Sequence, residues 1–477
     1  MPTSIARTGA RVAGRRARAV LDARRSVALD RMHPLDRMLG LGHLNLLFAG
    51  GEHRTDIVTA ARDTAPMSST ADTGPAPGAH VLLIAPAGSY RIGDHLAAAH
   101  DLGCAVTVAT DAAVAIPGSA IVVDLDDPMG TAAALLATLD RPIDAVVGTD
   151  GAAVAVAGEI ARRCGLPANP ASALAAADDK LAQRRALAQA GVPQPEFAAI
   201  GAGEEVEAHR AAALLPAVSK PVDRTASQGV VRADTPEQLR AAVVGVRRLV
   251  GASAPVLVER FVPGVEVAVD GLLRGGRLQV LAVFDKPDTP TGPTFPETLL
   301  VSPARLTDDA SAMVLDVVER AVRAVGLTEG PVHAECRVDG DRVRFLELAA
   351  RTIGGLCSRS LRVAGLRVEE LVLRHALGLP VPPAGADGAT GVLMLPVTGT
   401  GRLVAVHGVE RARAVPGVTD VAIPIAPGTR VVPLPAGDRY LGFVFASADD
   451  PDACERALRR AWAELTVEVA PTSAPHG

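Results

Sequence analysis

Two glutamates twelve residues apart, Glu335 and Glu347, flank an Asp339-Gly340-Asp341 turn, and Arg351 follows four residues after the second. Asp-Gly between two β-rich runs is a hairpin signal. The turn folds the two acids toward near-opposite positions on paired strands. Two carboxylates so placed repel unless a cation lies between them. Oxygen ligands of this kind suit Mg²⁺, which takes one or two carboxylates and leaves its other positions to substrate phosphates. Arg351 is placed to neutralise a transferring phosphoryl group. Upstream, Lys220 ends a strand and is followed by the small-residue loop 222–230, VDRTASQGV, with Ser227 and Gly229. Backbone N–H groups of such a loop can cradle phosphates while the lysine supplies a point charge. It is not a Walker A loop, because no GxxxxGK[ST] is present. In 178–184 Lys180 and Arg184 share one helix face at i, i+4. In 256–271, VLVERFVPGVEVAVDG, Glu259 ends an apolar strand and Glu266 lies seven residues on, past the Pro263-Gly264 turn. Two acids flanking an apolar turn could accept from an adenine amino group and from ribose hydroxyls. Each cluster also has a plainer reading: a solvated helix face, a surface loop, an edge strand with gatekeeper charges, a hairpin with surface acids.

The elements that would carry these residues alternate along the chain. HVLLIA at 80–85 is a continuous apolar run of the buried parallel type. A helix over 93–102 follows, then strands at 105–110 and 120–125, a helix over 131–139 and a strand at 144–149. That alternation implies βαβ units on a parallel sheet. A dinucleotide fingerprint is missing after the first strand, where Ala-Pro-Ala-Gly-Ser-Tyr stands, so this sheet is expected to hold a substrate. A helix over 178–190 stops at Gly191. From 215 to 348 the pattern is strand-rich, with hairpin turns at Arg274-Gly275-Gly276 and at Asp339-Gly340-Asp341. After Pro383 a smaller α+β unit is expected, with strands near 403–407, 421–425, 429–433 and 440–447. An amphipathic helix then presents Cys454, Leu458, Ala461, Trp462 and Leu465 on one stripe.

Composition closes off other classes. The chain has 477 residues, 48% apolar, 21% charged and 2% aromatic, with a net charge of -5. It is globular in composition, and its core must be built from Ala, Val and Leu. No apolar run reaches the ~18 residues needed to span a bilayer, and nothing in the overall charge calls for nucleic acid. The five cysteines form no CxxC pair, which argues against a disulfide framework or a structural zinc and for a reducing, cytoplasmic setting. The first 31 residues hold eight Arg against two Asp. Residues 1–76 read as a disordered leader, with folding expected to begin near Met67. The expected domains are an N-terminal α/β substrate domain over 77–175, a two-lobed α+β domain over 176–382 and a small α+β domain over 383–477.

The order of a βα sheet, a Lys helix, a Lys with a small-residue loop, a Glu…Glu turn and a Glu-hairpin-Glu-Arg resembles the ATP-grasp superfamily over roughly 81–470. The resemblance implies the ATP-grasp fold, with an N-terminal pre-ATP-grasp domain, and a set of roles. Lys180 and Lys220 contact the phosphates of ATP, beside the Ser227 and Gly229 loop. Glu259 accepts from the adenine amino group, the main chain at Phe261 and Val262 completes that contact, and Glu266 binds ribose. Glu335 and Glu347 hold Mg²⁺ or Mn²⁺. Arg351 is the catalytic arginine, with Lys220 acting on the same phosphoryl group. The usual Glu-x-Asn-x-Arg is here Glu347-Leu348-Ala349-Ala350-Arg351, which looks like the L-amino-acid ligase branch, where Glu-x-Ala-Ala-Arg also occurs. FPET, with Glu297, is similar to that branch's element for metal or amino-acid binding, although position 300 is Leu where the branch has His. GDRYLGFVFA resembles the tail of these ligases.

The resemblance thus implies an ATP-dependent carboxylate–amine ligase acting on amino acids or small peptides through an acyl phosphate. A biotin-carboxylase-like or purine-pathway enzyme, and a non-catalytic ATP-binding module, are the alternatives. Small carboxylates and amines are the expected partners, with no membrane and no nucleic acid. A homodimer paired through the N-terminal domain is the assembly such ligases suggest.

Overall fold

The computed structural model describes residues 75, 78–113, 120–204, 210–385, 388–437 and 439–471. The Arg-rich leader, and with it the expected start near Met67, lies outside the described residues.

The N-terminal sheet is parallel, as the alternation requires. Its order is Ile121–Val122, Ala105–Thr110, His80–Ile84, Ala145–Gly148. Val81, Leu82, Leu83 and Ile84 are wholly buried, because helices Ile92–Asp101, Pro128–Thr138 and Gly151–Arg163 accompany this sheet. The strand expected over 120–125 is only two residues long. The chain turns at Asp124, whose carbonyl accepts from the Thr131 hydroxyl, and Asp127 then caps the next helix by accepting from the Gly130 N–H at 2.9 Å.

The helix expected over 178–190 is two helices, Ala171–Asp178 and Lys180–Gln189. Asp179 leaves helical geometry (φ -117°, ψ 108°) and accepts from the Ala182 N–H. Asp is a strong N-cap residue, so the break falls there and Lys180 becomes the first residue of the second helix.

An antiparallel sheet of order Phe197–Ile200, Val256–Arg260, Ala217–Pro221, Val231–Ala233 forms the small lobe. Helix Pro236–Val250 starts from a Thr235/Gln238 capping box and packs its Leu239, Val243 and Val246 into this lobe's core.

The remaining frame is one eight-stranded sheet. Its order is Arg342–Ala349, Gly330–Asp339, Val265–Arg274, Arg277–Lys286, Leu299–Ser302, Ala389–Leu395, Gly442–Ala448, Val418–Ala422. Both predicted hairpins are there. Helix Asp308–Val325 covers one face, packing Val314, Val318 and Val322 against Val267, Ala334 and Phe345. At its far end the sheet takes in strands of the C-terminal region, which adds helix Pro451–Ala463 and a three-stranded sheet of Arg430–Val431, Gly401–His407 and Thr466–Ala470. The strand expected at 421–425 pairs instead over Val418–Ala422. Among the described residues no helix is long and apolar enough to cross a membrane.

Candidate active site

In an antiparallel sheet, opposed residues share a face and every second residue returns to it. Strand Gly330–Asp339 therefore turns Ala334, Cys336 and Val338 toward the helix-covered core and His333, Glu335 and Arg337 to the other face. Across that second face run three rows. Arg337, Glu266 and Lys286 stand opposite one another on three adjacent strands. Glu347, Glu335 and Ala268 form the next row, and Ala349, His333 and Asp270 the third. A β-bulge beside Glu335 leaves its register with Glu347 direct.

These rows floor a cavity of about 540 Å³. Lys180, Lys220, Ser227, Glu259, Phe261, Val262, Glu266, Glu297, Glu335, Glu347 and Arg351 all line it. Gly229 does not. Its N–H donates to Pro435 O at 2.9 Å, and it borders a separate cavity with Arg232 and Gly292. The N–H groups of Gln228 and Val230 are also spent within the loop, on Thr225 O and Ser227 O. The cradle expected over 222–230 thus shrinks to its first half, where Thr225, Ala226 and Ser227 face the cavity.

Local contacts explain how each group is placed. Gln183 bonds both backbone groups of Leu348: its amide nitrogen donates to Leu348 O at 2.8 Å and its oxygen accepts from Leu348 N–H at 3.1 Å. Helix Lys180–Gln189 is thereby clipped to the strand that bears Glu347, and Lys180 Nζ meets Glu347 Oε1 at 3.0 Å. Glu259 is buried between two cations, Arg184 Nε at 2.5 Å and Lys220 Nζ at 2.6 Å. Glu266 carries Lys286 on one oxygen at 2.6 Å and Arg337 on the other at 3.0 Å. Arg337 also donates to Val262 O and Pro290 O. Both nucleoside-side acids of the sequence reading are thus in the cavity, each held by its own pair of cations.

Sequence reasoning missed Lys286. Its Nζ lies 2.6, 2.8 and 3.0 Å from oxygens of Glu266, Glu297 and Glu335. It also missed Arg337, the His333–Asp270 pair at 2.7 Å, and Arg91, whose guanidinium reaches Thr149 O, Thr352 Oγ1, Ile353 O and Gly355 O. Period-two alternation from Glu335 marks His333 and Arg337, since both lie two residues away on the same strand. Lys286 and Arg91 leave no local signal.

The charges are set by this crowding. Burial opposes ionisation of Glu259, but Arg184 and Lys220 hold its carboxyl below the usual range. Burial also opposes ionisation of Glu335, and Lys286 with His333 overrides it, keeping that carboxyl well below the usual range. Glu297 goes the other way: burial, then repulsion from Glu335 and Glu266, pushes it up to about 7 against the pull of Lys286. His333 rises to about 9, because Asp270 and Glu335 outweigh its burial. Around the floor Glu266, Asp270, Glu297 and Glu335 alternate with Lys286, His333 and Arg337, and each acid holds at least one of these cations. Oxygens of Glu266, Glu297 and Glu335 lie within 4.8 Å of one another. Oxygen donors of this kind are those a hard divalent cation takes, and here Lys286 Nζ stands among the three carboxylates. Glu347 stands outside that tightest group and faces it across the Glu335 register.

The cavity is lined by residues of the small lobe and of the eight-stranded sheet, with Lys180 and Lys220 beside the acids. Residues 213–360 match the family described as the ATP-grasp domain, and residues 393–470 match the L-amino acid ligase C-terminal domain 2. A D-alanine--D-alanine ligase of Desulforudis audaxviator is 32% identical over 216 residues, 42% of this chain and 68% of that protein. The crystal structure of an L-amino acid ligase from Bacillus licheniformis superposes with a TM-score of 0.70 at 25% identity, over 83% of this chain and all of that one. An N5-carboxyaminoimidazole ribonucleotide synthetase from Thermotoga maritima reaches a TM-score of 0.60 at 18% identity, over 82% of this chain and 99% of that one, a likeness of fold alone. The chain belongs to the ATP-grasp family. Within it, the chain is a carboxylate–amine ligase that forms a carbon–nitrogen bond at the expense of ATP.

Proposed function

We propose that the enzyme joins free amino acids, or an amino acid and a small peptide, through an acyl phosphate. A carboxylate is a poor electrophile because its leaving group would be oxide. Its attack on the γ-phosphorus of ATP expels ADP and gives an acyl phosphate, from which an amine then displaces phosphate through a tetrahedral intermediate. The protein's part is positioning and charge compensation.

Lys180 and Lys220 take the phosphates, with Ser227 and its neighbours closing over them. Each lysine already holds one acid, Glu347 and Glu259 respectively, so it meets the nucleotide in a fixed place. The main chain at Phe261 and Val262 receives adenine beside Glu259, and Glu266 the ribose. Glu335 and Glu347 are the residues to hold Mg²⁺ or Mn²⁺, and Glu266 and Glu297 stand within reach of Glu335. When bound, the ion supplies charge neutralisation at the phosphate oxygens. Arg351 borders the same space and stabilises the acyl phosphate or the tetrahedral oxyanion. Segments 224–230 and 285–295 cover the cavity with Thr225, Val230, Pro290 and Phe295, which keeps water from the acyl phosphate. All five cysteines are unpaired thiols, in keeping with a reducing compartment.

The observation that carries this reading is the meeting of Lys180, Lys220, Glu335, Glu347 and Arg351 around one cavity. Phosphate release from Mg·ATP with pooled amino acids tests it. Release should depend on the amino acids. Arg351→Ala should lower it by 100-fold or more, the scale of a lost fixed charge donor at ~2.7–4 kcal/mol, with the thermal midpoint little changed. ATP turnover indifferent to every amino acid would sink the reading.

A further inference from the structure

The charged face does not end at Lys286. The register that pairs Asp285 with Val301 carries Lys286 opposite Leu300. Leu300 pairs with Val392, and Val392 with Phe445. One row of one sheet face therefore reads Arg337, Glu266, Lys286, Leu300, Val392, Phe445, charged over three strands and apolar over the next three. The neighbouring apolar pair is Met394 opposite Phe443.

Leu300, Met394 and Phe443 line the same cavity as the acids, together with Tyr90 and Cys357. They form a packed wall. Cys357 Sγ and Met394 Sδ are 3.6 Å apart. Tyr90 meets Phe443 edge to face, with ring centroids 6.3 Å apart. The chain at Gly355 lies so close to Phe443 that a Cβ there would come within 2.9 Å of the ring. Leu300, Cys357 and Phe443 are each at most 2% exposed.

The charges that border this wall already hold partners: Lys286, next to Leu300 in the row, holds Glu297 at 2.8 Å. Arg91 is buried and donates to three carbonyls and a hydroxyl. Asp150 accepts from Ser89 at 2.6 Å and from Thr149 at 2.8 Å. A charged side chain seated here would lose its water and gain no partner on the wall.

Resting on the ligase reading above, we infer that the amino acid whose carboxylate is activated carries an uncharged, apolar side chain, aliphatic, thioether or aromatic. Its carboxylate meets the phosphoryl group over the charged half of the sheet face. Its side chain lies along the apolar half, against Leu300, Met394 and Phe443. Position 300 decides the boundary: a histidine there would extend the polar half by one strand, and the leucine ends it.

The test is kcat/KM for ADP formation with methionine, leucine or phenylalanine against aspartate or lysine, each with alanine as the amine. The apolar acids should lead by about 100-fold or more, the upper range of what a hydrophobic pocket discriminates. Met394→Ala should shift the preference about tenfold from leucine toward phenylalanine. Because that variant can fail to fold, thermal stabilisation of the wild-type enzyme is measured alongside, with a non-hydrolysable ATP analogue, Mg²⁺ and each amino acid. Methionine should raise the midpoint where aspartate and lysine do not. Aspartate or lysine equal to or ahead of methionine in both measurements overturns the inference and leaves the ligase reading standing. No response to any amino acid removes the ligase reading itself.

Discussion

Arg91 lies in the N-terminal domain, yet most of what it holds lies just past Arg351. Its donors reach Thr352 Oγ1 at 3.2 Å, Ile353 O at 2.5 Å and Gly355 O at 3.4 Å, besides Thr149 O at 2.9 Å in its own domain. The side chain is buried, and burial followed by repulsion from Arg351 lowers its pKa. Each buried acceptor stranded by its loss costs roughly 1–3 kcal/mol. Arg91→Ala is therefore expected to lower the thermal midpoint. It should also cut kcat more than it changes KM for ATP, since it frees the Arg351 segment and leaves Lys180, Lys220 and Phe261 alone. Arg91→Lys should recover stability in part but not kcat, because one ammonium cannot serve several carbonyls in the guanidinium's fork. An unchanged kcat in both variants would show that the Arg351 segment holds itself. Residues of this kind are not legible in a sequence, because their partners lie 58 to 264 positions away. Glu335 and Glu347 were legible, because a short Asp-Gly turn alone sets their register. Lys286 belongs with Arg91: only the pairing of three strands brings it to Glu266 and Glu335, and Glu297 comes from the segment before strand Leu299–Ser302.

Among the elements, the hairpins match the sequence reading, whereas the strands expected at 120–125 and 421–425 and the helix over 178–190 differ from it. The hairpins at Arg274 to Arg277 and at Asp339 to Arg342 are present with their turns, since Gly-Gly and Asp-Gly leave the backbone few other choices. The helix over 178–190 was misread because Asp179 looked like one charge among several and is in fact a cap. That cap has a functional consequence, as it puts Lys180 at a helix start facing Glu347. The Pro263-Gly264 turn is a second small device. Gly264 has φ +98°, and a Cβ there would lie 2.2 Å from Val338 O. It closes the segment in which Phe261 and Val262 line the cavity. Gly264→Ala should cost about 1–3 kcal/mol from backbone strain alone, with the carbonyl clash added. Differential scanning fluorimetry should show a lower midpoint, and KM for ATP should rise as the hinge shifts. A variant with wild-type midpoint and KM would mean that the turn relaxes without moving Phe261.

The whole molecule departs from the sequence reading in one respect that matters for function. A boundary near residue 383 separates two stretches of chain, but the eight-stranded sheet runs straight across it. Leu299–Ser302 pairs with Ala389–Leu395, and its four residues are all buried. Their cover includes Leu393, Val444 and Leu458 from the C-terminal part. That part also supplies Met394, Phe443 and Tyr440 to the cavity, and the Tyr440 hydroxyl accepts from the Glu297 N–H at 2.8 Å. Local pattern could not reveal this, because the joint pairs strands roughly ninety residues apart. Ending the chain at residue 383 would expose Leu299, Leu300 and Val301, worth about 5–9 kcal/mol at ~1.5–3 kcal/mol for each side chain. A typical domain's entire stability is about 5–15 kcal/mol. Residues 78–383 alone should therefore lack a cooperative thermal transition and gain no stability from Mg·ATP, although every proposed phosphate and metal residue is retained. Co-expression with residues 384–477 should restore both properties. If the truncated chain melted cooperatively and was stabilised by Mg·ATP, the C-terminal region would be an appendage, and the acidic floor would hold its shape without the apolar half of its own sheet.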